Sequence, residues 1–240
     1  MKRVIRAAAL LSLAWPVAGR AQVSDCTPPT APVSVHPELP TAEQPARQEP
    51  IGGYTLALTW TPHFCRQTST RPGADFECGN HAGGRFGFVL HGLWPDGIGA
   101  AWPQYCTTTP LLPPRVIRGA MCTTPSAQLL QHEWAKHGTC MAGYDPARYF
   151  RLSTGLYAKL RFPDMDALAA APPNAGDLAL AMAKANPGLR ADGMRITTDR
   201  QGWLDEIWLC LGKTFAFVRC DPGRGGVSPG TSLRIARRTP

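Results

Sequence analysis

The chain has 240 residues, with 25 Lys and Arg against 17 Asp and Glu and a formal net charge of +8 at pH 7. Beyond the first 21 residues no segment approaches 18 uninterrupted apolar residues, which excludes a helical membrane span there. The basic balance favours a polyanionic partner without specifying one.

Residues 1–21 begin with Lys2, Arg3 and Arg6, continue through the apolar run "AAALLSLAWPVAG" and end near the small residues Gly19 and Ala21. This layout predicts a secretory signal peptide cleaved after Ala21, so the mature protein is expected to be soluble and secreted or periplasmic. Losing Lys2, Arg3, Arg6 and Arg20 would lower the formal charge by four, to +4. All eight cysteines, 26, 65, 78, 106, 122, 140, 210 and 220, lie after that point. In an exported chain an even number of cysteines predicts disulfides, here four, and no C-x-x-C pair suggests a zinc site.

Residues 22–50 hold seven prolines and little apolar periodicity, which predicts an extended arm pinned through Cys26. "YTLALTW" at 54–60 alternates as a strand, with Tyr54, Leu56, Leu58 and Trp60 on one side, and "RFGFVLH" at 85–91 repeats the pattern. His91 then stands at a strand end, opposite the bulky row. Thr124 with Pro125 reads as a helix start and Gly138 as a helix stop, giving a helix over 125–137. Asp145 and Pro146 open another, with apolar positions at Tyr149, Leu152, Leu156 and Leu160, and a third is expected over 175–186. "MRITTD", "GWLDEIWLCL" and "TFAFVRC" read as strands. Residues 222–240, rich in Gly and Arg, read as a flexible tail. Strands at both ends and helices in the middle predict an α+β single domain over 51–221, a largely antiparallel central sheet flanked by helices and stapled by disulfides.

"QHEWAKHGTC" at 131–140 concentrates the chemistry. On a helix, His132 and Lys136 are i,i+4 neighbours, as are Glu133 and His137, so two imidazoles, a carboxylate and an ammonium share one face. The zinc-protease pattern H-E-x-x-H is not met: the histidines are at i,i+5, where rings on an ideal helix diverge, and Lys136 would repel a dication. No metal or other cofactor is therefore expected. Breaking a phosphodiester with a neighbouring hydroxyl needs a base, an acid and positive charge for the phosphorane. Histidine serves both proton roles at mild pH, and RNA supplies its own 2′-OH nucleophile.

"GFVLHGLWPDG" (87–97) and "HEWAKHGTC" (132–140) resemble the two catalytic segments of the ribonuclease T2 family, secreted acid ribonucleases, with similarity from "LALTWTPHFC" near 56 to "LDEIWLC" near 204. The resemblance implies a metal-independent endoribonuclease acting on single-stranded RNA by transphosphorylation to 2′,3′-cyclic phosphates, opened more slowly to 3′-phosphates. It assigns His91 as the acid for the 5′-oxygen, His137 as the base for the 2′-proton, His132 to the phosphate, and Glu133 and Lys136 to the phosphorane.

The resemblance also suggests the pairs Cys106 with Cys140, Cys65 with Cys78 and Cys210 with Cys220, leaving Cys26 with Cys122. Trp94 and Trp102 are candidate substrate-binding residues, Trp94 being as well suited to packing as to base stacking, and the resemblance implies Asp96 as a further one, in a base pocket. Trp134 points off the catalytic arc toward the core, and His36, His63 and His81 read as surface or loop histidines. Glu133, sharing a face with His137, is expected to favour its cationic form, and activity should be bell-shaped with an acidic optimum. No membrane and no obligate protein partner are expected. The competing expectation is a catalytically silent disulfide scaffold that binds RNA.

Overall fold

The computed structural model describes residues 26–30, 33–68, 75–79 and 86–238, so the expected signal peptide and His81 lie outside the described residues. Among the described residues four strands form one antiparallel sheet in the order β2-β1-β4-β3: β1 Ile51–Trp60, β2 Phe88–Gly97, β3 Met194–Thr198 and β4 Leu204–Leu211. The helices are α1 Thr61–Thr68, α2 Asp75–Cys78, α3 Pro114–Ala120, α4 Ala127–Lys136, α5 Pro146–Ala158, α6 Met165–Ala170 and α7 Ala175–Ala185. The architecture is α+β. No described helix is long and apolar enough to cross a membrane.

The alternation in β1 sends Leu56, Leu58 and Trp60 into the core with Phe88, Leu90 and Leu93 of β2 and Ile207 and Leu209 of β4. Helix α5 lies over β2, where Tyr149 donates to the Leu93 carbonyl (3.0 Å) and Tyr157 to that of Phe88 (2.6 Å). Its buried row is Tyr149, Ser153 and Tyr157, while Leu152 and Leu156 are only partly buried, so the helix is rotated from the expected face. Asp145 caps it, accepting from the Arg148 N–H at 2.7 Å.

Several expectations are corrected. Strand β2 does not end at His91 but runs to Gly97. Ala57 pairs with Gly92 and Leu58 with Leu90, so His91 is the extra residue of a β-bulge. The bulge inverts the alternation: Phe88 and Leu90 before it face the core, as does Leu93 after it, so His91 and Gly92 fall consecutively on the other side. Helix α4 begins after Ser126, whose hydroxyl accepts from the Leu129 N–H. Thr124 instead donates to the Leu90 carbonyl at 2.7 Å, and with Thr123 it covers the outer edge of β2. Gly138 is not a left-handed cap. A Cβ there would lie 2.3 Å from the Trp134 ring, so glycine lets the chain turn tightly against that buried indole.

"TFAFVRC" forms no strand; a single bridge joins Leu211 to Phe217, with Phe215 at φ 61°. The described part of the expected flexible tail, residues 222–238, is packed. Leu233, Ile235 and Ala236 are buried, Arg234 bridges Trp203, and Trp60 donates to the Ala236 carbonyl at 2.9 Å. The physical reason is a two-residue alternation, Leu233 and Ile235, hidden in a Gly- and Arg-rich composition. His63 is also no surface histidine: it is buried in α1 beside Gln67 and Asp199. The disulfides are Cys26–Cys122, Cys65–Cys78, Cys106–Cys140 and Cys210–Cys220.

Candidate active site

The bulge in β2 and the last turn of α4 bring the five candidate residues to one place. His91 Nε2 lies 3.5 Å from Glu133 Oε1, and Trp94 donates from Nε1 to the other oxygen of that carboxylate at 2.9 Å. The Trp94 ring stacks on His137 (centroids 5.5 Å apart) and meets His91 edge-on (5.1 Å), so this indole stands between the two histidines. His132 and His137 are 6.4 Å apart at their ring centres. Gly92 makes the approach possible, because a Cβ there would fall 1.7 Å from Glu133 Oε2.

Glu206 of β4 was not singled out in the sequence. It sits across β1 from His91, directly opposite Thr59. Its Oε1 lies 2.5 Å from His91 Nδ1 and accepts from Thr59 Oγ1 at 2.8 Å, while Oε2 accepts from Trp208 Nε1 at 2.6 Å. The only signal was an acidic residue inside an apolar strand, which alternation alone does not distinguish from a solvent-facing position.

Charge follows from these contacts. Burial alone would depress His91, but the hydrogen bond it donates to Glu206 and the charges of Glu133 and Glu206 outweigh it and raise the ring to about 9. His137 is driven well below 6.5, first by burial and then by Lys136, His132 and His91. The expectation that Glu133 favours a cationic His137 is therefore reversed. Burial lifts Glu133 itself to about 7, against His91, Trp94 and Lys136. Burial and Lys136 lower His132, opposed by Glu38. Burial likewise lowers Lys136, opposed by Glu133 and Glu38. One cleft thus holds a protonated imidazole and a neutral one, with a carboxyl group between them that is uncharged at acidic pH.

The i,i+5 spacing does not separate His132 and His137 as an ideal helix would, because α4 ends at Lys136 and His137 is its C-cap at φ −111°. Among the described residues, donor atoms of His132, Glu133 and His137 all lie within 4.8 Å of one another, close enough to hold a cation.

The candidate substrate-binding residues are less concentrated. Trp94 belongs to the cluster itself. Asp96, further along β2, accepts from Thr55 Oγ1 at 2.8 Å and has Arg224 at 4.0 Å. Trp102 is 46% exposed and engages Arg47 and Gln104 instead of the five.

A family model described as "Ribonuclease T2 family" matches residues 51–220. The chain is 30% identical over 183 residues to a probable ribonuclease of Haemophilus influenzae, covering 71% of this chain and 61% of that protein. It is 32% identical over 166 residues to a ribonuclease of Aeromonas hydrophila, covering 67% and 71% respectively. In fold it is similar to RNase NT, solved in complex with 5′-AMP, with a TM-score of 0.60 at 22% identity over 78% of this chain and 98% of that one.

Proposed function

The chain belongs to the ribonuclease T2 family, and from that premise we propose that it cleaves single-stranded RNA by metal-independent transphosphorylation. Each cut leaves a 2′,3′-cyclic phosphate, opened more slowly by water to a 3′-phosphate. The observation that carries this reading is a geometric one: in one cleft His91 has the Glu206 carboxylate against its Nδ1, which favours the cationic ring, while His137 is buried against the Trp94 indole, which favours the neutral ring. An acid and a base that are both ready near neutrality are what the reaction requires.

In the first step His137 takes the proton of the 2′-OH as that oxygen bonds to phosphorus. The bond from phosphorus to the 5′-oxygen then breaks, and His91 Nε2 delivers its proton to the leaving oxygen. His132 and Lys136 bring positive charge to the phosphoryl oxygens, and Glu133, uncharged below about 7, donates a hydrogen bond to the phosphorane. In the second step His91 draws a proton from water and His137 returns one to the 2′-oxygen. Glu206 orients His91 throughout: it accepts at Nδ1, so Nε2 is the nitrogen that meets the substrate.

Metal independence follows from the same charges. A cation bound by His132, Glu133 and His137 would need a deprotonated Glu133 and would face the Lys136 ammonium. Single strands are favoured because in-line attack needs the sugar and phosphate to leave A-form geometry. The 5′-AMP bound to RNase NT fits a nucleotide site on this fold. Export through a signal peptide over residues 1–21 accords with the four disulfides.

The test is mass spectrometry of products from a short single-stranded RNA in excess EDTA, beside a copy with one 2′-deoxy linkage. Cyclic phosphate ends with the deoxy linkage uncut are expected. An intact RNA would overturn the reading in favour of a silent RNA-binding scaffold, and cleavage at the deoxy linkage would mean a different nucleophile.

A further inference from the structure

The described residues 26–30 and 33–50 precede the family domain at 51–220, and His36 and Glu38 among them are bound to its helix α4. The arm is fastened at one end by Cys26–Cys122. At the other, Arg47 and Gln104 exchange backbone hydrogen bonds of 2.8 and 2.9 Å, and the Gln104 side chain donates to the Pro45 carbonyl at 2.7 Å. Between these anchors Gln128 of α4 grips it: its Oε1 accepts from the His36 N–H at 2.8 Å, and its Nε2 donates to Glu38 Oε1 at 2.7 Å. Gln128 and His132 are i,i+4 on α4, so the same grip carries the second oxygen of Glu38 to 3.4 Å from His132 Nδ1. Both side chains are about a quarter exposed.

We propose that Glu38 is a positioning residue for His132: its carboxylate pairs with Nδ1–H of that ring and leaves Nε2 as the nitrogen that meets the substrate phosphate. This rests on the ribonuclease reading for the role of His132, but the contact itself does not. Free rotation of an imidazole about its Cβ–Cγ bond would offer the phosphate either nitrogen or none. A carboxylate fixed from the far side removes that freedom and supports the charge that a phosphate selects.

The remaining groups facing His132 are Lys136 and Glu133 on α4, His137 at its C-cap, Tyr105 at 6.5 Å between ring centres, and His91 on β2. Burial first, then Lys136 and His91, oppose its protonation, and Glu38 supplies the hydrogen bond that favours it. The arm thus brings to the site a charge that the family domain alone lacks.

The experiment compares the oxidised full-length protein with Glu38→Gln and Glu38→Ala, each also in a His132→Ala background, on a short single-stranded RNA. Glu38→Gln should raise KM up to about fivefold with kcat little changed, and the deficit should shrink as pH falls and His132 protonates unaided. Glu38→Ala, which loses the acceptor as well, should be worse. In the His132→Ala background neither change should matter. Binding of the 2′-deoxy RNA, and NMR titration of His132, repeat the comparison without turnover. They therefore decide the matter even if wild-type protein fails to cleave and the ribonuclease reading falls. Unchanged KM, binding and His132 titration in Glu38→Gln would overturn the inference. A fall in KM would also overturn it, because Glu38 would then be competing with phosphate for the ring.

Discussion

His91 and Glu206 are 115 residues apart in the chain, yet His91 Nδ1 and Glu206 Oε1 lie 2.5 Å from each other across the sheet. The pair is shielded on the Glu206 side by Thr59 and Trp208, which satisfy the same carboxylate. A fixed anion behind the ring holds both its orientation and its proton, which is the requirement for a general acid that must release a proton on the opposite side.

Glu206→Gln should therefore reduce kcat/KM by roughly tenfold to hundredfold while leaving KM for RNA almost unchanged. Its effect on stability has a defined window. His91 is raised from 6.5 to about 9, so its share is fully present below 6.5 and lost as pH rises through about 9. Glu206 is lowered from 4.5, so its share is present above 4.5 and lost as pH falls through its folded value. Urea unfolding should show the largest gap between wild type and variant between about 4.5 and 6.5, and almost none above about 9. A gap that grows toward alkaline pH would contradict the pairing.

Gly92→Ala tests the packing that seats Glu133. The added Cβ would lie 1.7 Å from Glu133 Oε2 and 2.7 Å from Trp94 Nε1, so the carboxyl must leave its hydrogen bond. Activity should fall by about a hundredfold or more, with a loss of roughly 1–3 kcal/mol in stability from overpacking. Adding Glu133→Ala should restore much of the melting temperature without restoring activity. If the double variant stays as unstable as Gly92→Ala, the clash lies elsewhere.

These predictions also mark what a sequence can disclose. Period-two alternation located β1, short β-branched and apolar runs located β3 and β4, and a capping Asp-Pro pair located α5, because local backbone preferences decide such elements. The helix face bearing His132, Glu133 and Lys136 was legible for the same reason. The continuation of β2 past His91 was not, because a bulge inverts the alternation and the strand then reads as ending. Glu206 and Glu38 reach the site through sheet register and through an arm with no periodicity, respectively, so no local signal marks either. The packed tail was concealed by its composition.

The pH profile follows from three groups with different signs. Activity should rise as His137 loses its proton, well below 6.5, and fall as His132, lowered from 6.5, loses the charge that binds phosphate. His91 keeps its proton to about 9 and so does not set the falling limb. The optimum is accordingly acidic, and His132→Gln should move the falling limb upward, toward about 7 where Glu133 ionises, at a lower maximum. A wild-type optimum above neutrality, or a falling limb unmoved in His132→Gln, would contradict this assignment.

Metal ions should act as inhibitors. The donor atoms of His132, Glu133 and His137 lie within 4.8 Å of one another, near enough that small side-chain shifts would let them hold a cation, but each is also needed for the reaction in its metal-free state. Excess EDTA should leave the initial rate within about twofold, and added Zn2+ should abolish it by occupying the base and the phosphate-binding ring together. Binding requires neutral histidines and an ionised Glu133, which burial holds back to about 7. Inhibition should therefore strengthen as pH rises through that value, and calorimetry should show one Zn2+ per chain binding with proton release. Loss of activity in EDTA that Zn2+ restores would reverse the conclusion and make the same three residues the ligands of a catalytic metal.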